Sequence, residues 1–365
     1  MATGFPVKAN YATGDVLTAA NMNDLSGTVN YLQYMPPRNP IINSNFSVWQ
    51  RGTSVALAAS TGVSSSSYTA DRWQTATGAN QAITVSRQAT GDTTNLPNIQ
   101  YCLRYQRNSG QTGTGQLNFA QSFESVNSIP FAGKTVTLSF YARAGANYSA
   151  ASSALPVALY SGTGTDQNVI SGVYTGAVAV ISQTATLTTT WQRFTYTGTV
   201  GATATELGLY FAFTPTGTAS TNDYYEITGV QLELGSVANT YMPNQPTYQG
   251  ELAACQRYYW KHNASGGVNQ GIVGGGFYTA TSVLGIVRFP VSMRTTPTLS
   301  VTSGTGYYQS VRGGGVNNLS SFAQDSANTD TSQIYNNTEA SGTIGYYANL
   351  ISNNASSSIA WSAEL

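Results

Sequence analysis

Apolar residues recur at every second position in one stretch of this chain after another, and that period constrains the fold more than any single motif. In residues 135–142, TVTLSFYA, Val136, Leu138 and Phe140 share one parity, while threonine and serine fill the other. Residues 206–213, ELGLYFAF, do the same with Leu207, Leu209, Phe211 and Phe213. QAITVSR (81–87), LPVALYSG (155–162) and WQRFTYTGT (191–199) repeat the pattern, with turns rich in glycine, serine and asparagine between them. A period of two belongs to a strand with one buried and one wet face. Antiparallel sheets packed face to face bury such strands. Residues 39–247 are therefore read as a β-sandwich of the jelly-roll type. In EITGVQLELG (226–235) the apolar phase slips at Gly229, from Ile227 to Val230, Leu232 and Leu234, which predicts a β-bulge.

Charge removes several function classes. Lys+Arg 15 stand against Asp+Glu 15, and charged residues are 8% of the chain, so no basic stripe exists to follow a phosphate backbone. Nucleic acid is not an expected partner. Disorder is not expected either, because 24 Tyr, 12 Phe and 5 Trp supply core and contact area. No apolar run reaches the ~18 residues of a membrane span, so membrane insertion is not expected. The opening MATGFPVKANYATGD lacks a continuous apolar stretch, so neither is a secretory leader. Cys102 and Cys255 lie far apart and are read as reduced and buried.

The flanks differ from the sandwich. In GDVLTAANMNDLSGTVNYLQYMPP (14–37), Thr18 can cap a helix that Pro36-Pro37 ends. Met22, Leu25, Val29 and Leu32 recur at heptad spacing, weakened by Gly27. Such a helix is marginal alone. It packs either on its own domain or in a short bundle between chains. After the sandwich, TYQGELAACQRYYWKH (247–262) reads as a short helix with Leu252, Cys255 and Tyr259 on one face. Strand patterns then resume from Val283 to Met293 and close with Ile359, Trp361, Ala363 and Leu365. The expected class is mainly β: a short N-terminal helix (1–38), the sandwich (39–247) and a C-terminal β domain (248–365).

Three of these stretches resemble one family. NPIINSNFSVWQRGTS…YTADRW looks like the opening of the carbohydrate-binding-like jelly roll of tailed-bacteriophage tail fibre, or receptor-binding, proteins. GVQLELGSVANTYMPNQPTYQGELAACQRYYWK is similar to the exit of that module and its following helix, and GDVLTAANMNDL resembles the segment that joins such fibres to a virion. The resemblance implies a homotrimer with its N-terminus on other tail or capsid proteins and its C-terminal domain toward host-surface glycan or protein. It implies a virion component, assembled in the bacterial cytoplasm, that attaches by multivalent adhesion and is not an enzyme. A structural head fibre or decoration protein is the alternative, and a glycan depolymerase is a third reading. No cofactor is expected beyond the structural calcium that jelly rolls of this type often hold, for which Asp71 and Glu233 lie in the matching motifs.

Candidate sites divide by chemistry. Trp49, Arg51, Asp71, Arg72 and Trp73 could stack on and hydrogen-bond a sugar, but paired tryptophans in fixed local settings suit a core better. His262 is the only histidine and follows RYYWK, where a helix end accounts for it better than a triad. Asp325 with Asp330, or Asp223 with Glu226, are the available carboxylate pairs for glycan hydrolysis. The late polar loops combine amphipathic rings with adaptable amides, as recognition loops do. Tyr307, Tyr308, Arg312 and Tyr335 are the expected ligand contacts, with Asn317, Asn318, Asn336 and Asn337 beside them.

Overall fold

The computed structural model describes residues 39–59, 65–77, 81–96, 98–170, 174–262 and 267–365. The N-terminal helix, its Thr18 cap, the Met22/Leu25/Val29/Leu32 seam and the bundle it would build lie outside the described residues.

The alternating stretches become two six-stranded sheets. The first runs β1 (Ser54–Leu57), β4 (Ile83–Ala89), β5 (Tyr101–Arg107), β12 (Tyr224–Leu234), β7 (Thr135–Ala144), β10 (Gln192–Thr199). The second runs β2 (Ser65–Tyr68), β3 (Gln74–Thr77), β6 (Leu117–Ser122), β11 (Glu206–Phe213), β8 (Ala154–Gly162), β9 (Val178–Thr186). Every neighbouring pair is antiparallel. The pairs β5·β12, β6·β11, β7·β10 and β8·β9 nest one inside the next and alternate between sheets. A long hairpin rolled over itself produces that order, which is the jelly-roll winding.

Parity decides what fills the interior. Val136, Leu138 and Phe140 of β7 and Leu207, Leu209, Phe211 and Phe213 of β11 share one buried core. Phe140 meets Phe211 edge-on across the sheets at 5.2 Å. The slip at Gly229 is present: the β12·β7 register shifts between Thr228 and Gln231, and Gly229 takes φ +57°. That left-handed backbone favours glycine, and a side chain there would also meet Ile99 Cδ1 at 2.8 Å.

The helix Tyr248–Gln256 follows, capped by Thr247 Oγ1, which accepts from the Gly250 N–H at 3.1 Å. Its buried side chains are Glu251 and Cys255. The expected Leu252/Cys255/Tyr259 face is corrected in two places. Leu252 is only half-buried, and Tyr259 has left the helix to open β13 (Tyr259–Lys261), opposite Ser362. Cys102 and Cys255 are free and buried.

The last segment forms two more antiparallel sheets. The smaller is β13, β22 (Ile359–Ser362) and β16 (Thr298–Val301). The larger runs β18 (Gly315–Leu319), β17 (Tyr308–Arg312), β21 (Tyr347–Asn354), β14 (Gly267–Thr279), β15 (Ser282–Arg288), β20 (Thr331–Asn336), β19 (Ala323–Ala327). A second core gathers Phe277, Tyr308, Ile334, Leu350 and Trp361. Residues 39–365 nevertheless make one compact unit, and the reason lies in the junction between the two cores.

Candidate functional site

The motif at 39–54 builds that junction. Asn43 and Phe46 both adopt positive φ, and the Asn43 side chain ties the knot: its Nδ2 donates to the carbonyls of Val48 and Asp71, and its Oδ1 accepts from the Val48 N–H. Trp73 is wholly buried, stacks on Phe119 at 4.8 Å and donates its indole N–H to the Asn43 carbonyl. Trp49 is buried too and donates to the Phe46 carbonyl. Neither ring presents a face to a ligand. Arg72, 2% exposed, lies 3.5 Å over the Tyr258 ring and is ion-paired to Glu364. Arg51 lies 3.5 Å over Tyr259 and reaches the same carboxylate at 3.2 Å. Arg257 and Tyr258 hold Glu124 of the sandwich in the same region. A chain with few charges concentrates several of them here, where the C-terminal strand returns to the first loop.

Asp71, one half of the expected calcium pair, is wholly buried in this knot. Its oxygens accept from the backbone and side chain of Gln50, with Arg51 at 4.0 Å. Burial pushes its carboxyl up to about 6 against those attractions. Glu233 sits at the far end of β12, where both oxygens accept from Asn239. The two carboxylates share no hydrogen-bond partner. Among the described residues no group of three or more His, Cys, Asp or Glu side chains is placed to hold a metal.

The four expected ligand contacts do not converge. Tyr308 is wholly buried, packs on Phe322 at 5.1 Å and donates to the Thr302 and Ser358 carbonyls, so it has no surface to offer. Arg312 shares the inward parity of Tyr308 and Ser310 on β17; its guanidinium lies 5.1 Å over Phe277 and donates to Asn317. Tyr335 has the opposite parity to the buried Ser332, Ile334 and Asn336 on β20, and so faces outward. Tyr307 is half-buried against the second core. Asn336 is spent on the Ser321 carbonyl and Glu339. Consecutive residues in a strand point to opposite faces, so clustering in sequence here means separation in space.

The acid pairs are committed elsewhere. Asp223 is wholly buried against Arg107 at 2.7 Å, and Glu226 is held between Arg104 and Arg143. Asp325 accepts from Gln333, and Asp330 from Ser292. His262 does not end a helix: it follows β13, half-buried 5.0 Å from the Trp260 ring, and burial lowers its pKa.

A better candidate lies on the outer face of the second sheet. A groove of about 800 Å³ runs over β11, β8 and β9, and none of its described lining residues is charged. Its floor follows from parity. Leu207, Leu209 and Phe211 enter the core, which turns Gly208, Tyr210 and Ala212 outward. On β8, Leu155, Val157 and Leu159 enter the core, which turns Pro156, Ala158 and Tyr160 outward. Register sets Tyr160 beside Gly208 and Tyr210 beside Ala158, so each ring stands next to a small residue. The two rings meet edge-to-face at 6.2 Å. Tyr210 donates to Gln116 at 3.4 Å, and burial raises its hydroxyl to about 12, so it stays protonated at neutral pH. Ser182, Gln183 and Thr184 of β9 add hydroxyl and amide groups to one wall. The other wall is Val169, Ile170 and Tyr174; Tyr174 Oη donates to the Leu207 carbonyl and would lie 2.4 Å from any Cβ on Gly208. Glycine is therefore required there for the wall to close down.

Sequence reading missed this site because Tyr160 and Tyr210 are fifty positions apart. A signal was present all the same. Apart from Glu206 at the start of β11, the outward positions of both strands are small or aromatic, Pro-Ala-Tyr-Gly and Gly-Tyr-Ala, where an ordinary wet face such as that of β10 carries threonine and arginine.

No protein-family model matches the chain, and no curated protein matches it. Solved structures do. A CBM4 structure is 20% identical over 42% of this chain and 87% of that one, with a TM-score of 0.27. The enzymatically active domain of tailspike protein 4 from bacteriophage CBA120 is 16% identical over 54% of this chain, but only 22% of that one, with a TM-score of 0.30. A cyclase from Fischerella sp. TAU is 11% identical over 55% of this chain and 98% of that one, with a TM-score of 0.34. At such identities and scores these likenesses carry no argument about ligand or activity.

Proposed function

We propose that the chain is a non-enzymatic bacteriophage virion component, a short homotrimeric tail fibre that holds the particle to host-surface glycans. The observation that carries the binding half of this reading is the uncharged groove with Tyr160 and Tyr210 on its floor. Sugars present apolar ring faces and hydroxyl edges. Half-buried tyrosines stack on the faces, and amides and hydroxyls such as Gln116, Gln183 and Ser182 read the edges. Absence of charge along the lining favours a neutral saccharide over an acidic one. The virion half rests on the resemblance of the opening, closing and N-terminal motifs, with residues 1–38 as the attachment segment. Each site is weak and solvent-washed. Three per fibre and several fibres per particle convert weak binding into durable attachment.

The test is competition. Purified protein, its trimeric mass established in solution, should block adsorption of the phage to its host, and free host glycan should relieve the block. A monomeric protein, or one that binds no host cell at micromolar concentration, removes the proposal.

A further inference from the structure

Six acids are buried among the described residues: Asp71, Glu124, Glu206, Asp223, Glu226 and Glu251. Five have donors on both oxygens. Gln50 serves Asp71, Arg257 and Tyr258 serve Glu124, Arg107 and Ser149 serve Asp223, Arg104 and Arg143 serve Glu226, and two backbone N–H groups serve Glu251. Glu206 is the exception. Its Oε1 accepts from the Gln167 N–H at 2.5 Å, but Oε2 is buried with no partner. No Lys, Arg or His pairs with it among the described residues. A buried carboxylate oxygen without donor or cation is costly enough that something ordinarily answers it.

The surroundings indicate what answers it. Glu206 opens β11 on the groove face, opposite Gly162 of β8, beneath the loop that follows β8. A Cβ on Gly164 would lie 2.7 Å from Glu206 Oε2 and 2.2 Å from Gln167 Oε1, and one on Gly162 would lie 3.0 Å from Glu206 Oε2. A carboxylate oxygen and an amide oxygen, the latter also accepting from the Thr175 N–H at 2.8 Å, thus converge over Gly164, which lacks a side chain. Both are hard oxygen donors. Main-chain carbonyls of the same turn, Gly162 and Gly164, each accept one bond from Thr205 and retain a second lone pair. Calcium takes six to eight such oxygens at about 2.3–2.6 Å, drawn from carboxylate, amide, backbone and water.

We infer that Glu206 Oε2 and Gln167 Oε1 are two protein ligands of a calcium-class cation site that pins the loop after β8 against the sandwich. The site is distinct from the Asp71 and Glu233 positions and stands whether or not the groove takes a glycan. An ion here neutralises the one buried carboxylate with an oxygen left unanswered among the described residues. It also fixes the loop carrying Val169, Ile170 and Tyr174, so groove shape becomes calcium-dependent.

The experiment uses chelator-stripped full-length protein, titrated with calcium chloride alone and followed by calorimetry and thermal unfolding. Wild type should bind saturably, with a melting temperature that climbs with the logarithm of calcium above the dissociation constant. Glu206→Gln should lose that response, Gln167→Ala should weaken calcium affinity at least tenfold, and Asp71→Asn and Glu233→Gln should keep it. No heat and no melting shift in wild type at millimolar calcium overturns the inference, as does an unchanged response in Glu206→Gln. Should Glu206→Gln not fold, Gln167→Ala decides, and undiminished calcium affinity in that variant overturns it.

Discussion

Glu364→Gln is the sharpest perturbation of the junction. The Glu364 carboxylate answers two guanidinium groups, Arg72 at 2% exposure and Arg51 at 16%. Removing its charge leaves the buried Arg72 guanidinium without a counter-ion, among neutral groups such as the Ser122 carbonyl and the Tyr258 face beneath it. Breaking one side of a buried pair costs about 3–5 kcal/mol, because the surviving charge stays desolvated. The more exposed Arg51 adds little. For a unit of this size each kcal/mol moves the melting temperature by about 2 °C, so a drop of roughly 6–10 °C is expected by calorimetry. Adding Arg72→Met removes the stranded charge, so the double variant should be less destabilised than the sum of the singles. If Glu364→Gln melts within about 1 °C of wild type, or the two changes simply add, the junction is not held in this way.

Other outcomes follow from the same geometry. Trp73→Ala should cost roughly 3–5 kcal/mol through the cavity left between Phe46 and Phe119, read by denaturant unfolding; loss of host binding at unchanged stability would falsify its place in the core. Tyr308→Phe should destabilise by about 1–3 kcal/mol, since two buried carbonyls lose their shared donor, and leave host binding intact. Asp71 carries a pH signature. Its folded value of about 6 lies above the ordinary 3.8, so between those pH values the folded chain binds a proton that the unfolded chain does not. Stability from this group therefore rises as pH falls from about 6 toward 3.8. Asp71→Asn should abolish that rise, and a difference between the two proteins that stays flat across the window counts against it.

The sandwich was legible because strands such as β7 and β11 send alternate apolar residues into one core, and the period of two records that directly. Val136, Leu138 and Phe140, the Gly229 bulge and the buried tryptophans of the opening motif all follow from local pattern. The candidate groove was not, for two physical reasons. A face is assembled by register, so Tyr160 and Tyr210 become neighbours only once β8 pairs with β11. In the last segment, composition pointed to Tyr307, Tyr308, Arg312 and Tyr335 as a set, but the pleat sends Tyr308 and Tyr335 to opposite sides of the sheet. The helix after the sandwich failed for a related reason. Its apolar period runs past Gln256, but pairing with β22 claims Tyr259 for a strand.

The most direct measurement is a titration of wild type, Tyr160→Ala, Tyr210→Ala and the paired Arg312→Ala/Tyr335→Ala variant with oligosaccharides released from the host surface, followed by calorimetry. Each groove substitution should weaken binding at least tenfold while the protein remains folded, consistent with about 1.4 kcal/mol or more per lost stacking face. The Arg312/Tyr335 variant should bind as wild type does. If the groove variants bind normally and only the Arg312/Tyr335 variant fails, the ligand site lies on the last domain and the groove is not the reader.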